Sequence, residues 1–209
     1  MQLEDIALTF VPQLGVRGIV HLMEVFGSAA AVYSASAEEL RQRAKLRDDV
    51  VRNIVAHSGF AEAERELEYC SRYNITPLAS TDEKYPKLLR QIDDYPHILY
   101  VRGSVEALQR RMIAFVGTRK ISAYGERVCN EMIHSLAEAV PDVAIVSGLA
   151  YGVDGAAHRA ALAEGITTVG VIANPLPNVT PAANERLAAE IVGRGGAVVT
   201  ELCSQTKQN

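Results

Sequence analysis

A glycine and two cationic residues end an apolar segment in the run FVGTRK, which covers residues 115–120. A strand that ends at Gly117 and a helix that begins at Ser122 leave backbone N–H groups without intrahelical partners. Such amides, together with Arg119 and Lys120, favour an anion of the size of phosphate. The alternative is a plain tight turn with solvated charges, because most charged loop residues bind nothing specific.

A second turn of the same kind follows along the chain. The apolar residues 143–146 lead into the run SGLAYG at residues 147–152, and a further helix is predicted after it. Ligands of open parallel sheets bind outside the carboxyl ends of the strands, which here fall at Gly117, Gly148 and Ala173. The run GTRKIS lacks the glycines of the dinucleotide motif G-x-G-x-x-G, so we expect no nicotinamide cofactor.

Strands and helices alternate beyond residue 112. Predicted strands cover residues 112–117, 143–148, 167–173 and 197–202, and predicted helices cover residues 122–139, 153–164 and 181–193. This succession predicts an α/β fold with a Rossmann-like parallel sheet, helices on both faces and right-handed crossovers.

The N-terminal part has a different pattern. Residues 4–73 show helical periodicity with short breaks and predict a small all-α module of helix-hairpin-helix or SAM-like type. Ser36 followed by Glu39 predicts a capping box at the start of one helix. The Pro/Gly turn at residues 12–18 can present amides to a phosphate, but its acidic surroundings favour a purely structural hairpin.

Size and composition indicate a globular protein with two domains. Of the 209 residues, 48% are hydrophobic and 22% are charged, which is enough apolar sequence to bury a full core. Turn-rich sequence replaces the helical pattern near residue 75, so we expect a helical module at residues 1–75 and a Rossmann-like domain at residues 76–209. No apolar run reaches the roughly 18 residues of a membrane span, which predicts a cytoplasmic protein without a membrane partner.

The net charge of −4 hides an uneven distribution. Residues 1–101 carry 11 basic and 15 acidic groups, residues 102–127 carry six and two, and residues 128–209 carry four and eight. The positive block therefore surrounds Gly117. A focused basic site on an acidic body suits a polyanion held at one place, and such phosphate contacts weaken as the salt concentration rises.

For most of the other residues that could bind metal, transfer protons or stack on bases, a structural role is the favoured interpretation. The three cysteines and five histidines have spacings that fit neither a metal site nor a disulfide framework, so we expect reduced packing cysteines and no metal. Asp154 and His158 lie four apart on one helix, where a capping carboxylate, with a histidine bonded back to it or to the first turn, is favoured over an acid/base pair. Tyr124 and Tyr151 can stack nucleobases, although packing at the helix start is favoured for Tyr124.

The linked motifs of residues 77–202 resemble the DNA-processing protein A family, also called DprA or Smf. The motifs are YPKLL with ILYVRG, FVGTRKISAYG, VSGLAYGVDGAAHRAAL, PAANERLAAEI and VVTEL. The resemblance implies a cytoplasmic, non-enzymatic protein that binds single-stranded DNA on its Rossmann-like domain. It further implies protection of incoming strands during natural transformation and DNA processing, and loading of the RecA recombinase.

The resemblance also implies the site residues. Arg119 and Arg186 are expected to contact DNA phosphates, with Lys120 as an auxiliary cation. The other expected DNA-binding residues are Gly117, Thr118, Ser122, Ser147, Gly148, Tyr151 and Asn184. No catalytic residue, cofactor or metal is implied. The pair Thr180-Pro181 replaces a Tyr-Pro pair of the family, which removes an aromatic contact.

The family pattern continues after residue 209 with an Arg-Asn-Arg motif and the second half of its sheet. We therefore expect a fragment whose last strand exposes an unpaired edge and a bare face. A homodimer is implied for the full-length protein through the missing part, and dimerisation of this fragment is left open.

The rival hypothesis is an enzyme of the nucleotide phosphoribohydrolase type, which shares the Rossmann-like fold and releases a base from a nucleoside monophosphate. Asp154 or Glu201 would have to act as the catalytic carboxylate. Neither lies in a glycine-rich phosphate loop with the second carboxylate that this reaction would require, so single-stranded DNA binding is favoured.

Overall fold

The computed structural model describes residues 3–206. Among these residues lie nine α-helices and six β-strands. The helices are α1 (Leu3–Thr9), α2 (Val16–Phe26), α3 (Ala29–Ser34), α4 (Ala37–Ala44), α5 (Asp48–Val55), α6 (Phe60–Arg72), α7 (Ala123–Ala139), α8 (Val153–Ala163) and α9 (Glu185–Gly193). The strands are β1 (Ile75–Ala79), β2 (Ile98–Gly103), β3 (Arg111–Ala114), β4 (Val143–Ser147), β5 (Thr167–Val171) and β6 (Ala197–Thr200). Short 3-10 turns occur at Leu89–Gln91, Val105–Gln109 and Ala182–Asn184.

Side-chain caps define the starts of the short N-terminal helices. The predicted capping box is present at α4, because the Ser36 hydroxyl accepts from the backbone N–H of Glu39 and the Glu39 carboxylate accepts from the backbone N–H of Ser36. Ser28 caps α3 in a similar way by accepting from the backbone N–H of Ala31 at 3.2 Å. Of the helices in the described part of the chain, none has the length and apolar character needed to cross a membrane.

The chain forms two compact units. The first comprises residues 1–73 together with 77–99, and the second comprises residues 74–76 together with 100–209. The sequence assigned the segment 77–99 to the Rossmann-like domain, whereas its contacts group it with the helical module.

A buried polar chain explains why this segment belongs to the first unit. The Ser80 hydroxyl lies 2.8 Å from Nδ1 of His97, and Nε2 of His97 lies 3.5 Å from a carboxylate oxygen of Asp5 in α1. All three side chains are buried. The close contact between His97 and Asp5, which is not a hydrogen bond, places the segment against α1. Local sequence patterns carry no information about a partner some 90 residues away.

The strands form one sheet in the order β1-β2-β6-β5-β4-β3. Strands β3, β4, β5 and β6 run parallel to one another, and β2 runs antiparallel to β6. The register places Ala114 opposite Val146 and Ser147 opposite Gly170, so β3, β4 and β5 end at the same edge of the sheet. This confirms the predicted Rossmann-like α/β fold and locates the segments that follow these strands.

The position of β6 corrects one prediction. The last strand lies between β5 and β2, and its residues Thr200 and Ala197 pair with Tyr100 and Gly103. The expectation that the last strand exposes an unpaired edge is therefore wrong. Strand β2 precedes β6 by about 100 residues and fills this edge, which strand periodicity alone cannot reveal. Among the described strands, the outer positions belong to β1 and β3.

The helices that follow β3 and β4 pack on the parallel strands through small and branched side chains. Ile133 of α7 is fully buried and packs with Ile145 of β4 and with Ala156 and Ala157 of α8. The apolar side chains of α7 are only partly covered, because Met132 is 53% exposed. Met132 lines an apolar groove of about 820 Å³ that α7 shares with the outer strand β3.

Ile133 and Met132 provide a test of this packing. We expect Ile133→Ala to lower the free energy of unfolding by about 2–5 kcal/mol, because a fully buried side chain leaves a cavity. Met132→Ala removes a half-exposed side chain from the same helix and should cost less than about 1 kcal/mol. Urea denaturation followed by circular dichroism measures both, and equal losses would contradict the assigned burial.

Candidate functional site

Three loops follow the carboxyl ends of β3, β4 and β5. We name them loop A (residues 115–122), loop B (residues 148–152) and loop C (residues 172–184), and we call the space they border the crevice. Loops A, B and C lead into helices α7, α8 and α9, respectively. The backbone amides at these helix starts lack intrahelical partners, which makes the crevice a favourable place for an anion.

Local hydrogen bonds shape loop A. The Thr118 hydroxyl oxygen accepts from the backbone N–H of Lys120 at 3.1 Å, which turns the chain beside Arg119. The Ser122 hydroxyl oxygen accepts from the backbone N–H of Gly125 at 3.1 Å and caps α7. The Thr118 and Ser122 side chains are exposed, and each hydroxyl hydrogen can still donate.

Hydrogen bonds join loop B to loop A. The hydroxyl of Ser147, the last residue of β4, donates to the backbone carbonyl of Phe115 at 2.7 Å. The backbone N–H of Val153 donates to the carbonyl of Thr118 at 3.1 Å. The Asp154 carboxylate, in the first turn of α8, accepts from the backbone N–H of Ala150 in loop B at 3.4 Å, whereas the start of α8 has no side-chain cap, contrary to the prediction.

Glycines allow the two loops to touch. Gly152 has φ +79° and ψ −126°, and a Cβ atom there would lie 2.1 Å from the Thr118 carbonyl oxygen and 2.8 Å from Cα of Arg119. A Cβ atom at Gly117 would lie 2.5 Å from a methyl group of Val153. At Gly148, a Cβ atom would lie 2.6 Å from the Asp154 carboxylate. Side chains at Gly117 and Gly152 would push loop A away from loop B and the start of α8.

Asn184 joins loop C to loop B. Its side-chain amide donates to the backbone carbonyls of Leu149 at 2.8 Å and Ala150 at 3.1 Å. The side chain is buried. Helix α9 starts directly after Asn184 and carries Arg186 as its second residue. The hydrogen bonds therefore bring the base of the Arg186 helix to loop B.

The cations of the crevice are exposed and unpaired. The side chains of Arg119, Lys120 and Arg186 are exposed, and within residues 3–206 none of them makes a hydrogen bond or an ion pair through its charged group. Tyr151 in loop B is 53% exposed. The predicted site residues thus divide into two groups. Ser147 and Asn184 point inward and hold the loops, whereas the cations and Tyr151 face solvent.

His158 lies beneath the crevice in a setting that the sequence did not predict. It is fully buried in α8, and its Nδ1 lies 2.7 Å from the hydroxyl of Thr168 in β5. That hydroxyl donates to the carbonyl of Ile145, so Nδ1 carries the proton of the neutral ring. The expected bond back to Asp154 is replaced by this link to the neighbouring strand.

Burial determines the charge state of His158. It lowers the pKa of the imidazole from its ordinary 6.5 to about 4, and this effect exceeds the opposing influence of the Asp154 carboxylate. The ring is therefore neutral at pH 7. An acid/base role would require His158 to exchange a proton with a ligand in the crevice. The buried hydrogen bond to Thr168 indicates a structural role instead.

All five histidines and all three cysteines lie within residues 3–206, which the structure describes. Within that part of the chain, no group of histidine, cysteine and carboxylate side chains has a geometry that could hold a metal ion. Cys70, Cys129 and Cys203 are free thiols, and the first two are buried as the sequence predicted.

The fold and the crevice define a class of protein: a Rossmann-like α/β protein that presents exposed cations beside helix starts where its parallel strands end. The family described as DNA recombination-mediator protein A matches residues 76–209. This chain belongs to that family.

Characterised relatives extend well beyond the matched region. The chain is 38% identical over 138 residues to protein Smf of Escherichia coli, covering 66% of this chain and 36% of that protein. It is 38% identical over 120 residues to DNA processing protein DprA of Streptococcus pneumoniae, covering 57% of this chain and 41% of that protein. A DNA processing protein DprA proposed for Mycobacterium tuberculosis is 35% identical over 174 residues, covering 77% and 44%. The chain therefore spans less than half the length of these relatives.

Two solved structures resemble the chain. The crystal structure of DNA processing protein A from Streptococcus pneumoniae has a TM-score of 0.80 at 25% identity, covering 99% of this chain and 70% of that one. A structure of DNA processing protein A from Helicobacter pylori has a TM-score of 0.56 at 26% identity, and the match covers 66% of this chain and 60% of that one. The latter concerns the single-stranded DNA binding mode of the Helicobacter pylori protein.

Gly152 tests the contact between loops A and B. Gly152→Ala should lower the free energy of unfolding by more than about 3 kcal/mol, because the new methyl group overlaps the Thr118 carbonyl. Gly165→Ala is a matched control, since Gly165 also has a positive φ, +69°, but has open space around its Cβ position. The control should cost about 1 kcal/mol from backbone strain alone. Equal losses in urea denaturation would contradict the close approach.

His158 predicts a pH dependence of stability. The unfolded chain takes up a proton near pH 6.5, whereas the folded chain resists protonation until about pH 4. The free energy of unfolding should therefore fall as pH decreases from 6.5, by on the order of 2 kcal/mol at pH 5 from this group. Its contribution should be constant above that window.

The control for this prediction is His158→Gln, whose amide can donate to Thr168 but does not titrate. The stability advantage of the native chain over this variant should shrink between pH 7 and pH 5 in urea denaturation. An advantage that stays constant with pH would contradict a buried neutral imidazole.

Proposed function

We propose that this chain binds single-stranded DNA at the crevice through its phosphates, as its part in DNA processing during natural transformation. The observation that carries the proposal is a set of three exposed cations, Arg119 and Lys120 in loop A and Arg186 in the first turn of α9, whose charged groups have no partner within residues 3–206. The inward polar groups of the neighbouring loops are already bonded to one another. A site that holds its cations without internal carboxylate partners is suited to an external polyanion.

The crevice residues have separate roles in this proposal. Arg119 and Arg186 donate charge-assisted hydrogen bonds to phosphate oxygens, and Lys120 adds an auxiliary charge. The exposed hydroxyls of Thr118 and Ser122 donate to the same phosphates. Backbone amides near Gly117 and Gly148 complete the pocket.

Ser147 and Asn184 take a positioning role in the proposal rather than a direct one. Each uses its side-chain donor on a carbonyl of a neighbouring loop. Breaking such a bond to reach DNA would leave a buried carbonyl unsatisfied, at a cost of about 1–3 kcal/mol. We therefore assign them the task of holding loops A, B and C together.

The charge distribution supports this choice of ligand. The block of residues 102–127 carries six basic and two acidic groups on a chain whose net charge is −4, and two of the basic groups, Arg119 and Lys120, lie in loop A. Phosphate contacts carry no sequence information, so the bases are largely unread. Membership of the family and the single-stranded DNA binding of the Helicobacter pylori relative point to the same ligand.

The proposal includes no chemical step. The Asp154 carboxylate accepts a hydrogen bond from the Ala150 amide, and Glu201 is an exposed residue directly after β6. The sequence places neither residue in a glycine-rich phosphate loop with the second carboxylate that base release from a nucleoside monophosphate would require. The chain is thus proposed to hold a strand and to leave it intact.

The wider role follows from the family alone. We propose that the full-length protein acts in the cytoplasm, protects incoming strands, loads the RecA recombinase and forms a homodimer. The matched part is proposed to supply the DNA contact in that role.

Arg119 is the residue that tests the DNA contact most simply. Arg119→Ala should weaken binding of an oligothymidylate about tenfold at low salt, because a charge-assisted phosphate contact is lost. The slope of log affinity against log salt should become shallower by about 0.7, the contribution of one single-strand phosphate. Fluorescence anisotropy of a labelled oligonucleotide at several salt concentrations gives both values.

Arg111→Ala is the matched control. Arg111 is an exposed arginine at the amino end of β3, whereas loop A follows the carboxyl end of that strand. Its replacement should leave the affinity and the slope unchanged. Equal effects of both replacements would contradict the site. Release of free base from nucleoside monophosphates by the native chain would instead favour the enzyme hypothesis.

A further inference from the structure

Tyr124 stands out because the structure leaves its ring unpacked. The side chain is 69% exposed although it lies in the first turn of α7, where the sequence favoured packing. Within residues 3–206, its ring contact is with Arg127, whose guanidinium carbon lies 6.0 Å from the ring centroid. A cation at this distance over an aromatic face is attracted to the ring and limits its motion.

The location of Tyr124 relates it to the crevice. Ser122 caps α7 by accepting from Gly125, so the ring of Tyr124 projects from the helix turn that follows loop A. On the other side of loop A, Gly152 brings the backbone of loop B against Arg119, and the preceding Tyr151 is 53% exposed. Loop A is therefore flanked by two exposed tyrosines, Tyr124 in α7 and Tyr151 in loop B.

Nucleic-acid chemistry gives such rings a ligand. Bases of a single strand expose their π faces, and aromatic side chains beside a cationic groove stack on them whatever the sequence. Bases of a duplex are already stacked and paired, so they offer no such face. Phosphate contacts alone do not distinguish these two forms of DNA, whereas a stacking ring does.

We propose that Tyr124, supported by Arg127, is a stacking position for an unpaired nucleobase whose adjoining phosphate lies on loop A. Together with Tyr151 it makes the crevice selective for single strands over duplex. This proposal rests on the proposed DNA-binding function, and it adds a recognised chemical group, the nucleobase, to a site otherwise described by phosphates. It also explains why a large ring stays exposed at this helix start.

Substitution at Tyr124 tests the proposal with two probes. The first is an oligothymidylate, and the second is an abasic oligonucleotide with the same number of phosphates. Tyr124→Ala should weaken oligothymidylate binding by roughly 5- to 150-fold, the range observed for lost base stacking, and leave binding of the abasic strand unchanged. Tyr124→Phe keeps the ring and should bind like the native chain. The salt slope should be the same in all three proteins.

A fluorescence measurement tests the base contact independently of binding affinity. The sequence contains no tryptophan, so Tyr124→Trp introduces a single indole fluorophore. Its emission should be quenched by the oligothymidylate and not by the abasic strand. Tyr73→Trp is the control, because Tyr73 is 40% exposed at the end of α6 in the other unit. Its emission should respond to neither probe.

The outcomes separate this proposal from the proposed function. If the native chain binds the oligothymidylate and Tyr124→Ala binds it equally well, the stacking position is overturned while DNA binding stands. Equal loss of both probes in Tyr124→Ala would also overturn it, since a base contact cannot affect an abasic strand. If the native chain binds neither probe, the proposed function itself fails, and this proposal fails with it.

Discussion

The site depends on the contact between loop A and loop B. The Val153 amide donates to the Thr118 carbonyl, and Gly152 lets the two backbones approach to a distance that no side chain would permit. This contact joins two consecutive strand-to-helix connections at one edge of the sheet. Because the backbone groups satisfy each other, the charged side chains of loop A remain available to solvent. The proposed phosphate contacts all require this arrangement.

A second layer of polar bonds holds the contact in place. Ser147 and Asn184 donate inward to carbonyls of loops A and B, and His158 links α8 to β5 through Thr168. These side chains are buried, so each bond is costly to break. The exposed groups above them carry charge or an aromatic ring. The crevice therefore combines a buried, hydrogen-bonded polar base with an exposed cationic surface, which suits a polyanion.

Much of this architecture could be predicted from the sequence, since the relevant signals are local. Apolar runs that end in glycine-containing turns predict the parallel strands and the loops after them, and Ser36 with Glu39 predicts a cap. Features that depend on distant partners could not be predicted. Strand β2 beside β6 and the bond from Thr168 to His158 are examples. The inward direction of Asn184 is another, because a polar residue near a predicted site gives no sign of which way its side chain points.

The most direct test of the account is whether Arg119 and Arg186 act on one strand. The salt dependence of oligothymidylate binding should be measured for the native chain and for the double variant Arg119→Ala/Arg186→Ala. The account predicts a slope shallower by about 1.4, the sum of two single-strand phosphate contacts. The double variant Arg111→Ala/Arg72→Ala, which removes two exposed arginines outside the crevice, should keep the native slope. A native slope in the first double variant would contradict the account.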